Sequence, residues 1–282
     1  MMMKRTAIGG VVLVTAALAF PRWIQAAGDS LPSPQVKVLS YAEGNLMFYH
    51  FGYKEDVPAP YKSTENGWLP GLGVALVRLE KGPSLFARLA GEYTGAHTTY
   101  DGTTQSGIPV TGGTNNKFLN AEGSVGLTLP APSTTSLTVY AGLGYRYWER
   151  GLGGEAPYRE RYTWKYVPAG LRWDSRSKGR WGFGVDFATR FMFGGMIRVY
   201  FSDIYPTLND LDLTLGNRPG WKLQAPVRYR YLTFTPWFES SAIGQSNTDT
   251  LRFRGEPIAV GYEPSSVTRQ YGLNVGARLE LP

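Results

Sequence analysis

The sequence predicts an all-β protein: a closed, antiparallel, up-and-down β-barrel that spans a membrane. Three observations predict this fold, namely long segments in which apolar and polar residues alternate, aromatic residues at the segment ends, and connections that alternate between short and long. Successive side chains of a strand point to opposite faces, so each alternating segment has one apolar and one polar face. We expect about ten strands, with eight or twelve as alternatives.

The clearest alternation lies in residues 180–193, where the odd positions are mostly apolar and the even positions carry glycines, Asp186 and Arg190. Four further segments repeat the pattern: 84–97, 117–129, 136–148 and 270–281. A soluble β-sandwich also alternates, but its strands usually have about 5–6 residues, whereas these segments have about 12–14. Their length therefore favours strands that cross a membrane.

Tyrosine and tryptophan gather at the segment ends. Such rings favour the lipid headgroup level and form the aromatic girdles of membrane barrels. The residues assigned to girdles are Tyr145, Tyr147, Trp148, Tyr162, Trp164, Tyr166, Trp173 and Trp181.

The connections between segments alternate in length. The short ones are 81–83, 130–134 and 174–179, and the long, polar or glycine-rich ones are 55–67, 98–116, 149–160, 194–220 and 245–267. Outer-membrane barrels join their strands by short periplasmic turns and longer external loops, so five long connections imply ten strands. Two regions stay open: 68–80 is apolar on both faces, and 221–243 is too long for one strand although its internal turn near 226–230 is weak.

The N-terminus has the three parts of a secretory signal peptide. Lys4 and Arg5 precede an apolar run over 8–20, and the small residues Ala26 and Ala27 follow. That run is shorter than the roughly 20 residues that a membrane-crossing helix needs. We expect a cleaved signal peptide over 1–27, a periplasmic N-terminal segment over 28–38, and an outer-membrane barrel over 39–282.

Composition excludes several classes of protein. The chain has no cysteine, so no disulfide stabilises it. Without the three basic residues of the predicted signal peptide, 26 of the 29 basic residues remain against 22 acidic ones, a net charge of +4. This charge is too small to indicate nucleic-acid binding. No residue cluster has the spacing of zinc or calcium ligands, so we predict neither a metal nor a cofactor.

The last strand carries a pattern typical of an assembly signal. Asn274, Gly276, Leu279 and Leu281 stand in the order polar, glycine, apolar, apolar, as in the closing strands that the barrel-assembly machinery recognises. Many such strands end in an aromatic residue, whereas this chain ends in Leu281 and Pro282.

Short motifs along most of the chain resemble the porin-like and omptin-like outer-membrane barrels of Gram-negative bacteria. They are Tyr53-Lys54-Glu55, Lys62-x-x-Glu65-x-Gly67, Tyr100-Asp101-Gly102 and Glu263-Pro264. The resemblance implies a location in the bacterial outer membrane. It also implies contact with outer-membrane lipid and lipopolysaccharide, handling by the barrel-assembly machinery, and a possible protein partner in a larger envelope assembly.

If the apolar faces meet lipid, the charged residues of the opposite faces point into the lumen. A barrel of about ten strands lies near the size that side chains fill, and an unpaired charge in a narrow interior is costly. We therefore expect an ion-pair network that plugs the barrel, with a narrow pore for small solutes as the alternative. The network comprises Arg88, Glu92, Glu122, Arg146, Arg172, Asp186, Arg190, Arg278 and Glu280.

An enzymatic interpretation has to place its residues at the outer rim. The resemblance to omptin-like proteases implies paired acidic residues and an Asp-His couple there. Asp210 and Asp212 are the candidate pair, and His97 with Asp101 is the candidate couple, although no Asp-x-His sequence exists. We expect a non-enzymatic scaffold, small-solute pore or docking platform that acts through its external loops, and a rim protease or lipid-modifying enzyme is the alternative.

Overall fold

The structure, a computed structural model, describes residues 39–79, 84–103, 107–130, 135–154, 157–176 and 180–281. The predicted signal peptide and the predicted periplasmic segment lie outside these residues. The described part forms β1 (Leu39–Glu55), β2 (Ser63–Leu79), β3 (Ser84–Thr103), β4 (Pro109–Pro130), β5 (Thr135–Leu152), β6 (Tyr158–Arg176), β7 (Trp181–Tyr200), a 3-10 helix (Phe201–Asp203), β8 (Leu211–Thr214), β9 (Gly216–Asn217), β10 (Pro219–Gln224), β11 (Val227–Tyr229), β12 (Leu232–Gly244), β13 (Asp249–Phe253), β14 (Glu256–Gly261) and β15 (Ser266–Leu281). No helix in the described ranges is long and apolar enough to cross a membrane.

Ten antiparallel strand positions close into a barrel. Strands β1 to β7 pair in sequence order, and β15 pairs with both β1 and β12, which closes the ring. The eighth position is filled by β10 and β11 in succession, and both pair with β7 and β12. The strand is interrupted at Ala225 and Pro226, where proline has no N–H to donate. The prediction of a ten-stranded up-and-down barrel is confirmed, and the alternatives of eight and twelve strands are wrong.

The predicted alternation decides which residues face outward. Along β7, Phe183, Phe187 and Phe191 are exposed on the outer surface, whereas Arg190 is buried in the lumen. Large apolar side chains such as Leu72 and Leu143 are 60% and 64% exposed, which is stable only where hydrocarbon replaces water. The outer surface therefore carries the apolar belt of a transmembrane barrel.

The strands are longer than the sequence indicated, and several predicted loops are wrong. Pairing between β3 and β4 continues from Ser84↔Thr128 to Thr103↔Pro109, so most of the predicted loop 98–116 is strand. The predicted loop 149–160 is shortened in the same way, because β5 and β6 pair as far as Leu152↔Tyr158. Beyond the bilayer no apolar outer face is required, so the alternation disappears although the sheet continues. The barrel wall thus projects past the outer membrane surface.

Half of the predicted girdle is wrong. Tyr145, Tyr147, Trp173 and Trp181 lie on the outer side, but the buried rings of Trp148, Tyr162, Trp164 and Tyr166 fill the lumen. Each misassigned ring occupies an even position, and even positions of β5 and β6 face inward. Aromatic residues near strand ends therefore belong to the girdle only where they occupy outward-facing positions.

The two regions that the sequence left open are now assigned. In β2 the inward face contains Gly71 and Gly73, and a side chain at Gly71 would collide with the methyl group of Thr94. Thr94 of β3 is hydrogen-bonded to Tyr49 of β1 at 2.8 Å over the inner face of β2, so glycine in β2 leaves the space that this contact fills. The turn in 221–243 lies at Arg230 and Tyr231, where Arg230 has a φ of 54°.

The two longest external connections are joined to each other. They run from β7 to β10 and from β12 to β15, and the second contains the hairpin β13–β14. The Asn209 N–H donates to the Arg252 carbonyl at 3.2 Å, and the Arg254 N–H donates to the Thr207 carbonyl at 2.9 Å. Leu208 also forms a β-bridge with Phe253. These connections therefore form one hydrogen-bonded unit at the outer end of the barrel.

The register of β7 can be tested by substitution. Phe187→Arg places a charge on the lipid-facing side near the centre of the belt and is expected to lower the free energy of unfolding by about 2–4 kcal/mol. Gly184→Arg instead enters the lumen, where even a Cβ atom lies 2.9 Å from Oδ1 of Asp174. Urea unfolding in vesicles measures both, with Phe187→Leu as the control. If Phe187→Arg and Gly184→Arg lowered the free energy of unfolding by the same amount, in vesicles and in detergent alike, this result would contradict the register.

Candidate functional site

The centre of the lumen is crossed by a ring of four charged side chains from four strands. Arg190 of β7 bridges Glu122 of β4 at 3.0 Å and Glu239 of β12 at 2.6 Å. Arg146 of β5 forms a second ion pair with Glu239 at 2.6 Å. All four side chains are buried. The four residues are defined as the central ring.

Neighbouring charges extend the central ring without changing its neutrality. Arg88 pairs with Glu122 at 3.1 Å, and Lys222 pairs with Glu92 at 3.5 Å. Asp186 accepts a hydrogen bond from the Tyr140 hydroxyl at 2.5 Å. The ring and its neighbours together contain four cations and four carboxylates: Arg88, Arg146, Arg190 and Lys222 with Glu92, Glu122, Asp186 and Glu239. The balance removes the cost of leaving a single charge unpaired in the barrel.

A second layer of charges lies toward the end of the barrel that carries the short turns. Asp174 pairs with Arg172 at 2.6 Å and also with Arg228. Arg278 pairs with Glu43 at 2.5 Å, and its guanidinium lies 4.2 Å from the ring centre of Tyr41. Glu280 occupies the exposed mouth and forms no ion pair with any described residue. Eight of the nine predicted lumen charges thus have a described partner.

A third layer lies at the outer end and was missed by the sequence analysis. Arg150 of β5 pairs with Glu65 of β2 at 2.9 Å and with Glu160 of β6 at 2.6 Å. Its guanidinium lies 5.3 Å from the ring centre of Trp148, whose Nε1 donates to Asn116 at 2.6 Å. Arg150 and Glu160 lie in the segment 149–160 that the sequence predicts as a loop, where no inward face is expected. Glu65 could have been found, because it belongs to the motif Lys62-x-x-Glu65-x-Gly67.

One carboxylic acid connects the external segment between β14 and β15 to this outer layer. The Glu263 side chain lies 3.1 Å from the Tyr53 hydroxyl and 2.9 Å from the Tyr162 hydroxyl. The backbone at Glu263 is held by Ser246, through a Ser246 N–H to Glu263 carbonyl bond of 3.0 Å. Glu263 therefore anchors the long connection between β12 and β15 in the barrel mouth.

Burial is the largest influence on Glu263 and raises the pKa of its carboxyl well above the usual range. The nearby carboxylates of Glu55 and Glu160 raise this pKa further, while Arg150 and the bond from Tyr162 oppose them. A carboxyl in these surroundings favours its neutral form.

Little empty space remains between the layers. The cavity between the central ring and the short-turn end has a volume of about 60 Å³, and two cavities beside the ring have about 20 and 10 Å³. One water molecule occupies about 10–15 Å³ by this measure, so the three cavities hold no more than a few water molecules each. The described side chains therefore fill the barrel at the level of the ring.

The predicted catalytic residues do not form a catalytic arrangement with one another. The Arg198 guanidinium lies 3.5 Å from Asp210 and 3.6 Å from Asp212, so both carboxylates share one cation. His97 is exposed on the outer wall. Asp101, four residues further along the same strand, pairs with Lys62. No group of three histidine or acidic side chains in the described ranges could hold a metal ion.

The residues of the predicted assembly signal divide between the two faces of the closing strand. Asn274 faces inward and accepts a hydrogen bond from Trp237 Nε1 at 2.8 Å. Gly276 also faces inward, and a Cβ there would lie 3.0 Å from the Gly44 carbonyl. Leu279 and Leu281 are exposed on the outer surface.

Comparisons with known proteins identify the fold. No family model matches the sequence, and no curated protein matches it. The crystal structure of the outer membrane protease OmpT from Escherichia coli matches with a TM-score of 0.53 at 10% identity, covering 90% of this chain and 99% of that chain. The transport unit of the autotransporter AIDA-I from Escherichia coli matches with a TM-score of 0.42 at 10% identity, covering 90% of this chain and 92% of that chain. The outer membrane protein OprG from Pseudomonas aeruginosa matches with a TM-score of 0.39 at 10% identity, covering 86% of this chain and 97% of that chain.

At 10% identity the likeness to OmpT shows a shared fold alone. A closed barrel with an apolar outer belt and long external connections is the architecture of outer-membrane proteins. The chain is therefore an outer-membrane β-barrel, as its sequence predicted.

The anchor at Glu263 predicts a pH-dependent connection. Because the folded-state pKa is raised, the anchoring contribution is complete below the ordinary carboxyl range and is lost as the pH rises through the raised value. We expect hydrogen exchange across the hairpin β13–β14 to accelerate as the pH rises above the ordinary carboxyl range, beyond the intrinsic change measured on an unfolded peptide of the same sequence.

Glu263→Gln keeps the side-chain shape and removes the titration, so the excess acceleration is expected to disappear. The exposed Glu256, in the same hairpin, provides the control Glu256→Gln, which is expected to behave like the wild type. An excess acceleration that persists in Glu263→Gln would exclude Glu263 as its source.

Proposed function

We propose that the protein is a closed, non-conducting outer-membrane scaffold that presents its external rim as a docking platform. The observation that carries this proposal is the central ring, in which Arg146, Arg190, Glu122 and Glu239 connect four strands across the lumen. A route for solute through the barrel would have to break these contacts.

Energetics support a permanently closed lumen. Removing one partner of a buried ion pair costs about 3–5 kcal/mol, because the remaining charge stays buried without compensation. Arg190 contacts two carboxylates and Glu239 contacts two guanidinium groups, so displacing either side chain breaks two such contacts. The adjoining cavities, of about 20 and 10 Å³, are too small for any solute larger than water.

The rim has the features of a surface that binds a macromolecule. The strand walls extend past the membrane, and the two longest connections form one hydrogen-bonded unit. Apolar side chains on this rim are exposed: Ile108, Tyr205, Ile258, Val260 and Tyr262. Exposed apolar residues concentrated on one surface are a mark of an interaction site, which favours the envelope-protein partner expected from the sequence.

The two alternatives have less support from the geometry. A small-solute pore requires the central ring to open. A rim protease or lipid-modifying enzyme requires free carboxylates or a base beside a nucleophile, yet Asp210 and Asp212 share the Arg198 cation. Recognition of β15 by the barrel-assembly machinery is a separate proposal, supported by the outward-facing Leu279 and Leu281.

Closure is tested by conductance in planar bilayers. The wild-type protein is expected to give no current steps above background. The double variant Arg146→Ala with Glu239→Ala removes one pair of opposite charges and leaves Arg190 with Glu122 at 3.0 Å, so it is expected to admit small ions.

Lys117→Ala with Glu149→Ala deletes a matched ion pair of 3.0 Å on the outer wall and is expected to remain silent. Heat-modifiable gel mobility verifies that each variant forms a barrel. Reproducible steps in the wild type would replace the scaffold with the pore alternative, and a silent lumen variant would remove the central ring as the barrier.

A further inference from the structure

A groove lies on the outer wall of the barrel directly above the external aromatic girdle. The girdle at this place contains His50, Trp68 and Tyr271: the His50 ring stacks on Tyr271 at 5.0 Å between ring centres and meets Trp68 edge-on at 5.4 Å. Aromatic rings of this kind mark the headgroup level of a bilayer. The groove therefore opens where the polar ends of outer-leaflet lipids lie.

The groove, which we name the wall groove, has a volume of about 590 Å³. Gly52 is part of its lining. In the sheet, Gly52 is paired with Asn66 on one side and Arg269 on the other. The remaining lining includes Lys54, Arg218, Thr64 and Ser265.

Three cations converge on the wall groove without an acidic partner. Lys54, Arg218 and Arg269 are exposed, and none of them forms an ion pair with a described residue. These three cations are therefore not held in salt bridges within the described ranges.

The basic residues of the opposite wall, unlike those of the wall groove, have acidic partners. Lys117 pairs with Glu149 at 3.0 Å, and Arg159 pairs with Asp203 at 2.8 Å. Arg161 lies 3.8 Å from the same Glu149 carboxylate. The cations of the wall groove differ from these three residues, because they have no acidic partner among the described residues. Exposed salt bridges by themselves contribute little to stability.

Two carboxylates line the upper end of the wall groove, and both have hydrogen-bond donors. Asp56 accepts a bond from the Ser265 hydroxyl at 3.4 Å, and Glu55 accepts one from the Tyr53 hydroxyl at 3.0 Å. The lining contains three basic side chains, Lys54, Arg218 and Arg269, against these two acidic ones. Neither acid forms an ion pair with Lys54, Arg218 or Arg269 in the described part of the chain, so these three cations are available to a ligand.

We propose that the wall groove binds the phosphorylated headgroup of an outer-leaflet lipid. Guanidinium and ammonium groups form short, charge-assisted hydrogen bonds to phosphate oxygens. The girdle below would contact the acyl chains of the same molecule, while Asn66 and Thr64 offer polar groups to its neutral part. The site is separate from the lumen, so it does not depend on whether the barrel is closed.

The test uses the full barrel in neutral detergent micelles, with phosphatidic acid as the probe and phosphatidylcholine as the neutral reference. Native mass spectrometry counts the bound lipids. The wild type is expected to retain one phosphatidic acid in preference to phosphatidylcholine. The variant Lys54→Gln, Arg218→Gln and Arg269→Gln is expected to weaken this binding at least about tenfold, since each phosphate contact is charge-assisted.

Lys117→Gln, Arg159→Gln and Arg161→Gln provides the control, because it removes the same number of charges from the opposite wall. Wild-type affinity in this control supports the proposal, whereas an equal loss in both triple variants would show a general charge effect and overturn it. Unchanged binding in the wall-groove variant would also overturn it. A competition experiment with inorganic phosphate distinguishes a lipid site from a free-anion site. If inorganic phosphate displaced phosphatidic acid at an equal concentration, the groove would be a free-anion site instead of a lipid site.

Discussion

The structure depends on one constraint: every charge that faces the lumen has to find a partner inside a narrow barrel crossing a bilayer. Three layers satisfy the constraint, around Asp174, around the central ring and around Arg150. Each layer connects strands that are not neighbours in the sheet. Charge pairing therefore fixes the cross-section of the barrel in addition to blocking it.

Glycine and aromatic residues make this filling possible. Gly144 lies so close to Tyr166 that a side chain there would overlap its ring. Tyr166 reaches Asn120 at 2.9 Å and Glu122 at 3.0 Å. The large inward rings thus extend the charge network toward the wall, and the small residues opposite give them space. The abundance of glycine reflects lumen packing as much as turns.

The two ends of the barrel differ in chemical character. The outer end combines an extended wall, two joined connections and the Glu263 anchor, whereas the described turn opposite contains two residues, Arg230 and Tyr231. On the wall itself, the wall groove is lined by Lys54, Arg218 and Arg269, which are exposed and form no ion pair with a described residue. The proposed docking role rests on these features of the outer end.

The sequence by itself determined the fold class, a strand number of about ten and the outward face of five membrane-crossing segments, because period-two alternation is a local property of a strand in contact with lipid. It located Arg190 and Glu122 on the inner face for the same reason. Only the tertiary structure decided which inward residues meet: Glu65 and Arg150 are 85 positions apart, and Tyr53 and Glu263 are 210 apart. Beyond the membrane the lipid no longer imposes alternation, so the strand ends, the anchor and the wall groove were fixed by closure of the sheet.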